Sequence, residues 1–428
     1  MTISAAPGEL VAIDLLPGPR WTDVVEELWG RGVAFLPLDS RLTERERRAI
    51  VDRAAPALIL GEDEETWFAD GVPVDERIGV VVATSGTSGA PKLAELSRSA
   101  VRSALEISGG ALALEPQHVW VACLPPAHVG GLLALLRGVE GHHPLQVHAR
   151  FDPARVVAAA PCWVSVVPTM VRRLVADDLD LSGLSLLVGG GALDPALRAA
   201  AEGRGATIVG TYGLTESCGG IAYDGRLLAG TRARLDSAGA IELRGPTLME
   251  GYRHDPQATA DAFTVEGWLR TGDVGRIADD GTITVDGRAD EAIRSGGERI
   301  WPDEVESVLR DHPKVADAAV AGRPDPEWGS HVAAWIVPAR IDDPPSLEEL
   351  RRFAKERVAA FKAPREVFLV PDIPRTSSGK IRRHDLPEGR PGTGEEPERS
   401  RKGEGPSQGG VDSGLPNPPG HRGGGDPA

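Results

Sequence analysis

Residues 84 to 92, TSGTSGAPK, contain four hydroxyl side chains, two glycines and a lysine directly after the apolar run IGVVVA. Glycines let backbone N–H groups approach a ligand closely, and hydroxyls with a lysine can complete a cage around a phosphate group. The strip differs from the P-loop pattern G-x-x-x-x-G-K-[ST], because its lysine follows a proline and neither serine nor threonine comes next. A Ser/Thr/Gly cluster is also typical of a solvated turn, so the strip alone leaves both possibilities open.

The elements that would position this strip are predicted by short β-branched runs that alternate with amphipathic stretches. The runs are GVVVA, HVWVACL, WVSVVP, LSLLVGGG and ATIVG. Strand and helix alternation of this kind predicts an α/β fold with a mostly parallel sheet covered by helices. The stretch LDPALRAAAE is a typical helix start, with Asp194 as candidate N-cap and Pro195 at the first helical position.

After about residue 240 the pattern changes to shorter, turn-rich strands such as AIELRG and GTITVDGR, which predict antiparallel pairing. A helix opened by Pro302 follows, then the strand VAAWIVP, then a helix whose Ser346 and Glu349 form a capping box. This order predicts a small α+β unit. From Glu388 to Ala428 the chain has no aromatic residue and almost no aliphatic one, so this segment is predicted to be a disordered tail.

Composition limits the class of protein. A chain of 428 residues with 41% hydrophobic content predicts two domains, and a formal charge of -16 argues against a nucleic acid or an anionic membrane as the main partner.

Cys123, Cys162 and Cys218 lack the C-x-x-C spacing of zinc or redox sites and are interpreted as buried thiols. The N-terminus has no signal-peptide pattern, and no segment is apolar enough to span a membrane. A soluble, cytoplasmic protein is predicted.

Five further segments extend the opening strip to a family signature: GGGALDP (189–195), TYGLTES (211–217), GWLRTGD (267–273), GRADEAIRSGGERIWPDEVE (287–306) and PRTSSGK (374–380). Together they closely resemble the adenylate-forming enzymes, the superfamily of acyl-CoA synthetases, peptide-synthetase adenylation domains and luciferases. The resemblance covers roughly residues 30–387. It implies a large adenylation domain of layered β-sheets and helices (1–287) and a small mobile α+β C-terminal domain (288–387), followed by the tail (388–428).

The reaction implied by this resemblance is activation of a carboxylate by ATP, with Mg²⁺, to an acyl-adenylate, which the thiol of coenzyme A then attacks. A free carboxylate resists thiolysis because oxide is a poor leaving group, whereas AMP leaves easily. Within the superfamily the chain looks most similar to the o-succinylbenzoate–CoA ligases of menaquinone biosynthesis, through LPPAHVGGLLALLRGV, TYGLTESCGGIAYDG and a short N-terminal region.

Three alternatives stay open at this point. The chain could be a CoA ligase for another aryl or short acyl acid, a non-catalytic nucleotide-binding module, or an adenylation domain that loads a carrier protein. The expected partner is a small-molecule carboxylic acid. A homo-oligomer is one way to cover the surface that a short N-terminal region exposes.

The phosphate contacts that the resemblance implies lie in the opening strip. It assigns the β- and γ-phosphates to Thr84, Ser85, Gly86, Thr87, Ser88, Gly89 and Lys92. Leu93 departs from the family pattern, which usually has glycine after the lysine, but this change removes no donor.

The adenine and metal contacts are implied by two segments. In TYGLTES, Tyr212 is expected against the adenine face, Thr215 donates to the α-phosphate, and Glu216 binds Mg²⁺ as a hard oxygen ligand. A strand-end turn with a half-buried tyrosine is the structural alternative. The loop that flanks adenine is expected at Gly190, Gly191 and Ala192, where a plain strand–helix turn would look similar.

The remaining catalytic positions flank the small domain. Asp273 is expected to bind both ribose hydroxyls with Arg288 alongside, and Asp290 is the implied hinge about which the small domain turns. Lys380 is expected to bridge the acyl carboxylate and the α-phosphate. Glu291 stands where a second aspartate is commoner in the family.

The contacts with coenzyme A and with the acid are less well defined. Gly296 and Gly297 are expected to line the channel for the pantetheine arm of coenzyme A. His128 matches a histidine that borders the acyl channel in relatives, with a structural histidine as the alternative. Arg137 lies inside an apolar helix and needs an anionic partner, either a second substrate carboxylate or an acidic side chain.

Overall fold

The structure, a computed structural model, describes residues 3–84, 91–376 and 379–387. The strands are β1 (Leu10–Asp14), β2 (Ala34–Pro37), β3 (Leu58–Gly61), β4 (Glu65–Trp67), β5 (Ile78–Thr84), β6 (Lys92–Ser97), β7 (Trp120–Ala122), β8 (Leu145–Val147), β9 (Cys162–Val166), β10 (Leu184–Val188), β11 (Thr207–Leu214), β12 (Gly219–Tyr223), β13 (Arg226–Leu227), β14 (Arg232–Leu235), β15 (Ala240–Arg244), β16 (Gly251–Tyr252), β17 (Leu269–Ile277), β18 (Ile283–Arg288), β19 (Ile293–Ser295), β20 (Glu298–Ile300), β21 (Val315–Asp325), β22 (Gly329–Pro338) and β23 (Glu366–Leu369).

The helices are α1 (Pro19–Arg31), α2 (Glu44–Ala54), α3 (Arg98–Ala111), α4 (Val129–Val139), α5 (Pro153–Val157), α6 (Pro168–Ala176), α7 (Pro195–Glu202), α8 (Pro256–Ala262), α9 (Pro302–Arg310) and α10 (Leu347–Lys355). Several begin with proline, whose fixed φ suits the first helical position. The predicted Asp194 cap of α7 is confirmed, because its carboxylate accepts the Ala196 N–H at 2.7 Å. The predicted capping box of α10 is also confirmed, between Ser346 and Glu349.

The first sheet has seven strands in the order β16-β6-β5-β2-β1-β3-β4. β1 pairs in parallel with β2 and β3, whereas β5 and β6 form an antiparallel hairpin that pairs Thr84 with Lys92. Residues of β1 are buried alternately on opposite faces, with Val11 on one face and Leu10 on the other. Both faces of this sheet are therefore covered, as is typical of parallel strands.

The second sheet has the order β13-β12-β11-β10-β9-β7-β8, and β7 to β11 are parallel. Helices α1, α3 and α4 pack between the first and second sheets, and α6 and α7 pack on the other face of the second. The segments that follow β7, β9, β10 and β11 meet at one edge, called here the carboxyl edge. Ligands of open α/β sheets bind at this edge.

The third and fourth sheets follow in the second half of the chain. The third, β14-β15-β17-β18, is antiparallel, and the fourth combines β20-β19-β22-β21 with β23. Strands β19 to β23 pack with α9 and α10 around a core of their own that includes Ile293, Val305, Val320 and Leu350. The predicted α/β fold with a small α+β unit is confirmed. The described residues group as one compact unit, and the boundary between 287 and 288 stays a prediction.

The cysteines are buried and free, as predicted. Burial raises the pKa of Cys123 and Cys218 to about 12 and that of Cys162 to about 11. Across the described ranges, none of the helices is long and apolar enough to cross a membrane.

Candidate active site

Tyr212, Asp273 and Arg288 form one corner of the site. The Tyr212 hydroxyl donates to Asp273 Oδ2 at 2.7 Å, and Arg288 Nη1 lies 3.6 Å from Asp273 Oδ1. Strands β17 and β18 hold the last two residues together, because Asp273 and Arg288 are register partners. A carboxylate fixed in this way still has lone pairs to offer a ligand, which suits the two hydroxyls of a ribose.

Burial controls the charges at this corner. The Asp273 side chain is only 13% exposed, and burial raises its pKa against the opposing effects of Tyr212, Arg288 and Lys380. Burial also raises the pKa of Tyr212, and the Asp273 carboxylate adds to the rise, so the phenol stays a donor. Burial alone would lower the pKa of Arg288, but the carboxylates of Asp273 and Asp290 outweigh it and raise it.

Glu216, Tyr252 and Lys92 form the second corner. Glu216 lies in the 3-10 turn Thr215–Ser217 directly after β11, and its Oε1 accepts the Tyr252 hydroxyl at 2.7 Å. Lys92 Nζ lies 4.9 Å from the centroid of the Tyr252 ring, within the range of a cation–π contact. Burial raises the pKa of Tyr252, and the Glu216 carboxylate adds to this, so Tyr252 stays a donor to Glu216.

The second corner fits Mg²⁺. In the part of the chain that the structure describes, no group of three or more His, Cys, Asp or Glu side chains could hold a metal by itself. Mg²⁺ in nucleotide enzymes is usually bound through one or two carboxylates, with substrate phosphates and water completing its shell. Glu216 can supply that carboxylate, and Thr215 is half-buried beside it in the same turn.

Strand β11 joins the two corners. Tyr212 and Glu216 are four residues apart at its carboxyl end, and a bulge between Tyr212 and Gly213 interrupts its pairing with β12. Bulges of this kind redirect side chains next to binding sites. The backbone N–H of Met249 donates to the Glu216 carbonyl at 2.8 Å and so holds the segment before β16 against the turn.

The turn after β10 contains the predicted adenine loop, at the carboxyl edge. Gly190 has a φ of +78°, which only glycine adopts without strain, and a Cβ there would lie 3.3 Å from Val167. Gly191 and Ala192 are exposed. Because β10 pairs with β11, the loop lies next to the strand that carries Tyr212, and its adenine role stays a prediction.

Lys380 is an exposed side chain whose backbone lies beside the carboxyl edge. Its charge is one of three influences that oppose the rise in the pKa of Asp273 caused by burial. A Cβ on the preceding Gly379 would lie 3.6 Å from Thr169 Oγ1, at the start of α6 on the carboxyl edge. Thr376 and Lys380 are joined directly, because Thr376 N–H donates to the Lys380 carbonyl at 2.7 Å and Lys380 N–H donates to Thr376 Oγ1 at 3.1 Å.

The predicted hinge and the predicted pantetheine loop lie on either side of β19. Asp290 is in the turn after β18, where its Oδ1 lies 3.3 Å from Arg288 Nε. Gly296 and Gly297 form the tip of the β19–β20 hairpin, with φ of +59° and +89°. Two consecutive positive φ values are typical of a type I′ turn, which explains the glycine pair structurally.

The phosphate strip is described only at its ends. Ser85, Gly86, Thr87, Ser88 and Gly89 lie outside the described residues. At its ends, Thr84 Oγ1 lies 3.5 Å from the Lys92 carbonyl oxygen, and Lys92 extends toward Tyr252. The Leu93 side chain is fully buried in the core of the first sheet, which explains a leucine at this position.

His128 and Arg137 lie at opposite ends of α4. His128 precedes the helix, near the carboxyl end of β7, and its Nε2 lies 3.5 Å from Oδ2 of the buried Asp39. Burial alone would raise the pKa of Asp39, but hydrogen bonds from His128 and Arg41 lower it well below its usual range. The nine residue steps from His128 to Arg137 span about 13 Å of helix. Only His128 is therefore at the carboxyl edge.

Arg137 is buried at the amino end of β7. Its side chain is 4% exposed, its Nη2 donates to Ser108 Oγ at 2.5 Å, and its guanidinium lies 4.3 Å from the Trp120 ring centroid. Burial lowers the pKa of Arg137 to about 10, with the Tyr223 hydroxyl nearby opposing this. These contacts give the guanidinium a hydroxyl and an aromatic ring as partners, and its position at the amino end of β7 counts against the predicted substrate role.

We expect Arg137→Leu to change turnover of o-succinylbenzoate and of benzoate by the same factor, because residue 137 is remote from the carboxyl edge. Pyrophosphate release with each acid, measured on the same enzyme preparation, checks this. Ser108→Ala, which removes the hydroxyl partner, serves as the matched variant. A loss confined to the dicarboxylate in Arg137→Leu would restore the substrate role.

Tyr252 is the site residue that the sequence pattern did not reveal. It contacts both Lys92 and Glu216 although it is 160 residues from the first and 36 from the second. Its segment, MEGYRHDP, carries no spacing that indicates chemistry. The sequence signal that could have pointed to Tyr252 is the small number of tyrosines. The chain has three, and two of them donate to carboxylates here.

Two carboxylates, Asp273 and Glu216, each held by a tyrosine hydroxyl, and the segment that carries Lys380 lie around the end of β11 and the carboxyl edge, an arrangement that suits an AMP-binding enzyme. Residues 68–253 match the family of AMP-binding enzymes, and residues 304–380 match the AMP-binding enzyme C-terminal domain. The chain is 36% identical over 331 residues to a probable 2-succinylbenzoate–CoA ligase from Mycobacterium tuberculosis, covering 74% of this chain and 85% of the relative. It is 34% identical over 411 residues to the 2-succinylbenzoate–CoA ligase of Bacillus licheniformis, covering 83% and 84%.

Solved structures agree with these relatives. The fold matches o-succinylbenzoate CoA synthetase from Bacillus subtilis in complex with the acyl-adenylate intermediate OSB-AMP, with a TM-score of 0.82, 26% identity, and coverage of 91% of this chain and 90% of that one. The same Bacillus subtilis enzyme in complex with ATP and magnesium ion matches with a TM-score of 0.80, 26% identity and 90% coverage of each chain. The chain belongs to the 2-succinylbenzoate–CoA ligase family of adenylate-forming enzymes. The resemblance expected from the sequence motifs is confirmed.

Proposed function

We propose that the chain joins o-succinylbenzoate to coenzyme A in menaquinone biosynthesis, using ATP and Mg²⁺ and forming AMP. The observation that carries the proposal is that hydrogen bonds fix Asp273 and Glu216 on either side of the end of β11, while Gly379 places the adjacent Lys380 beside Thr169 at the carboxyl edge. Each of the three has a distinct task in adenylate chemistry. The names of the relatives support the choice of acid, and the geometry supports the choice of reaction.

In the first half-reaction a carboxylate oxygen of the acid attacks the α-phosphorus of ATP and pyrophosphate leaves. Asp273 holds the ribose, with the Tyr212 phenol hydrogen-bonded to its carboxylate. Lys380 places positive charge where the acid and the α-phosphate meet. Mg²⁺ bound at Glu216 would neutralise phosphate charge, and Lys92 would add a second cation near the phosphates.

In the second half-reaction the thiol sulfur of coenzyme A attacks the acyl carbonyl and AMP leaves. We propose that residues 288–387 then rotate about Asp290, which removes Lys380 from the site and brings Gly296 and Gly297 to the pantetheine arm. The division into residues 1–287 and 288–387 is part of this proposal. Cytoplasmic location and homo-oligomerisation stay predictions.

A panel of acids tests the proposed function. Pyrophosphate release and thioester formation should both be fastest with o-succinylbenzoate, compared with benzoate and short acyl acids. Faster turnover of one of the other acids would assign a different CoA ligase activity. Nucleotide binding without pyrophosphate release for any acid would indicate a non-catalytic module.

We expect Tyr252→Phe to raise the Mg²⁺ concentration needed for half-maximal pyrophosphate release by about 10-fold, because groups that orient a metal ligand affect metal affinity on that scale. The aromatic ring stays in contact with Lys92 in this variant, so only the hydrogen bond to Glu216 is lost. Tyr223→Phe, which removes a hydroxyl that contacts Ser108 instead, is the matched control. An unchanged Mg²⁺ requirement in Tyr252→Phe would contradict a metal role for Glu216.

A further inference from the structure

A series of side chains with alternating positive and negative charge connects Glu291, the residue after the proposed hinge Asp290, with Gly379, the residue before Lys380. We call them the ion-pair network; it consists of Glu291, Arg383, Glu306, Arg310, Asp317 and Arg375. Successive members lie 2.5 to 3.1 Å apart. The network ends where Arg375 Nη1 donates to the carbonyl of Gly379 at 2.9 Å.

Arg375 fixes the amino-terminal side of the Lys380 segment. Its Nη2 lies 2.5 Å from Asp317 Oδ2 on β21, while its Nη1 holds the Gly379 carbonyl. Its backbone also forms an isolated antiparallel bridge with Ile381. The residues on both sides of Lys380 are thus tied to one arginine that is anchored on the fourth sheet.

Arg383 fixes the carboxyl-terminal side. Its guanidinium donates to Glu291 Oε2 at 2.9 Å, to Asp303 Oδ1 at 2.6 Å and to Glu306 Oε1 at 2.9 Å, and its Nε donates to the Val320 carbonyl at 3.1 Å. Glu291 directly follows the proposed hinge residue Asp290. The guanidinium therefore joins the hinge, α9 and β21 at one point.

The ion-pair network is partly buried. Glu306 is 3% exposed and Arg383 is 16% exposed at the side chain, whereas Arg375 and Asp317 are 26% and 28% exposed. Burial raises the pKa of Glu306, against the opposing charges of Arg383 and Arg310. Burial alone would raise the pKa of Asp317, but Arg375 and Arg310 outweigh it and lower it. Buried ionic groups of this kind can fix one arrangement among several without adding stability.

We propose that Arg375 and Arg383 are positioning residues for Lys380, which hold its segment rigidly on the small domain and in a fixed relation to the hinge. The inference rests on the proposed function, since it assumes that Lys380 serves the first half-reaction. Rotation of the small domain about Asp290 then brings the Lys380 ammonium to a single, defined position in the site. Displacement of a catalytic group by about 1 Å can cost about 100-fold in rate.

Arg375→Met is the test, because Arg375 is the most exposed arginine of the network and its removal leaves Asp317 paired with Arg310. We expect kcat for pyrophosphate release to fall about 10- to 100-fold with little change in KM for ATP. The rate of thioester formation from preformed acyl-adenylate should be unchanged. Arg375→Lys should recover part of the loss, because an ammonium can still pair with Asp317 but cannot also hold the Gly379 carbonyl. Arg323→Met, which removes a comparably exposed arginine paired with Glu366 elsewhere in the small domain, is the control.

The decisive measurement places Arg375→Met in a Lys380→Ala background. If Arg375 acts through Lys380, the double variant should release pyrophosphate no more slowly than Lys380→Ala alone. A further loss in the double variant, or equal losses in both half-reactions of Arg375→Met, would overturn the inference in favour of a general structural role. An unchanged kcat in Arg375→Met would overturn it as well, while leaving the proposed function intact. Absence of pyrophosphate release from the wild-type enzyme with every acid would overturn both.

Discussion

Lys380→Ala is expected to slow pyrophosphate release by about 100-fold or more, the scale of removing one preorganised electrostatic donor from a reacting centre. Negative charge concentrates where the acid carboxylate approaches the triphosphate, and Lys380 follows Gly379, which lies beside Thr169 at this edge. Thioester formation from preformed acyl-adenylate should proceed at nearly the normal rate, because that step needs no carboxylate–phosphate contact. Rapid mixing with each half-reaction timed separately makes the measurement.

Lys355→Ala provides the control for this experiment. Lys355 is an exposed lysine at the end of α10, in the same small domain, and its removal should leave both half-reactions unchanged. If Lys380→Ala slowed both half-reactions equally, the lysine would be serving the domain as a whole rather than the first step. A normal rate of pyrophosphate release would show that Lys380 is not the catalytic cation.

Local chemistry made much of this site predictable. Tyr212 and Glu216 come within a few residues of the β-branched run ATIVG, and Gly190 comes at the end of LSLLVGGG. Their place at the carboxyl edge follows from the rule that parallel strands align their carboxyl ends. The Asp194 cap and the Ser346–Glu349 capping box could be predicted because caps depend on neighbouring residues only.

Contacts across long sequence distances could not be predicted in this way. The contact of Tyr252 with Lys92 depends on the pairing of β16 with β6, which no local pattern specifies. Arg137 shows the same limit, because its isolation among apolar residues in the sequence suggested an anionic ligand. In the structure a hydroxyl and an aromatic ring supply its contacts. The sequence shows that a buried charge needs partners, but not which partners the fold brings to it.

The same limit applies to the ion-pair network. Glu291 stood out in the sequence only as a departure from the commoner aspartate. The structure gives that side chain a contact 92 residues away, at Arg383. A longer carboxylate at this position is explained by the reach to Arg383 rather than by the hinge itself.

Asp290→Pro is expected to show the reverse of the Lys380 pattern, with thioester formation slowed about 100-fold and pyrophosphate release changed little. Proline fixes φ near −65°. If the rotated conformation needs another φ at residue 290, we expect proline there to raise the free energy of that conformation by about 3 kcal/mol, the scale of proline in an incompatible backbone. That free energy corresponds to about 100-fold in the population of the rotated state. The first half-reaction is spared if the arrangement seen here, with Lys380 near Asp273, tolerates proline at residue 290.

Asp290→Ala separates the backbone effect from the side-chain effect. Both variants lose the carboxylate that lies 3.3 Å from Arg288 Nε, but alanine leaves φ free. We therefore expect Asp290→Ala to keep thioester formation within about threefold of the wild-type rate, since an exposed ion pair is worth about 0.2–1 kcal/mol. Equal losses in the alanine and proline variants would show that the carboxylate matters and that rotation does not. If Asp290→Pro formed thioester normally from preformed acyl-adenylate, the small domain would have to turn about another residue or not turn at all, and the role of Gly296 and Gly297 at the pantetheine arm would lose its basis.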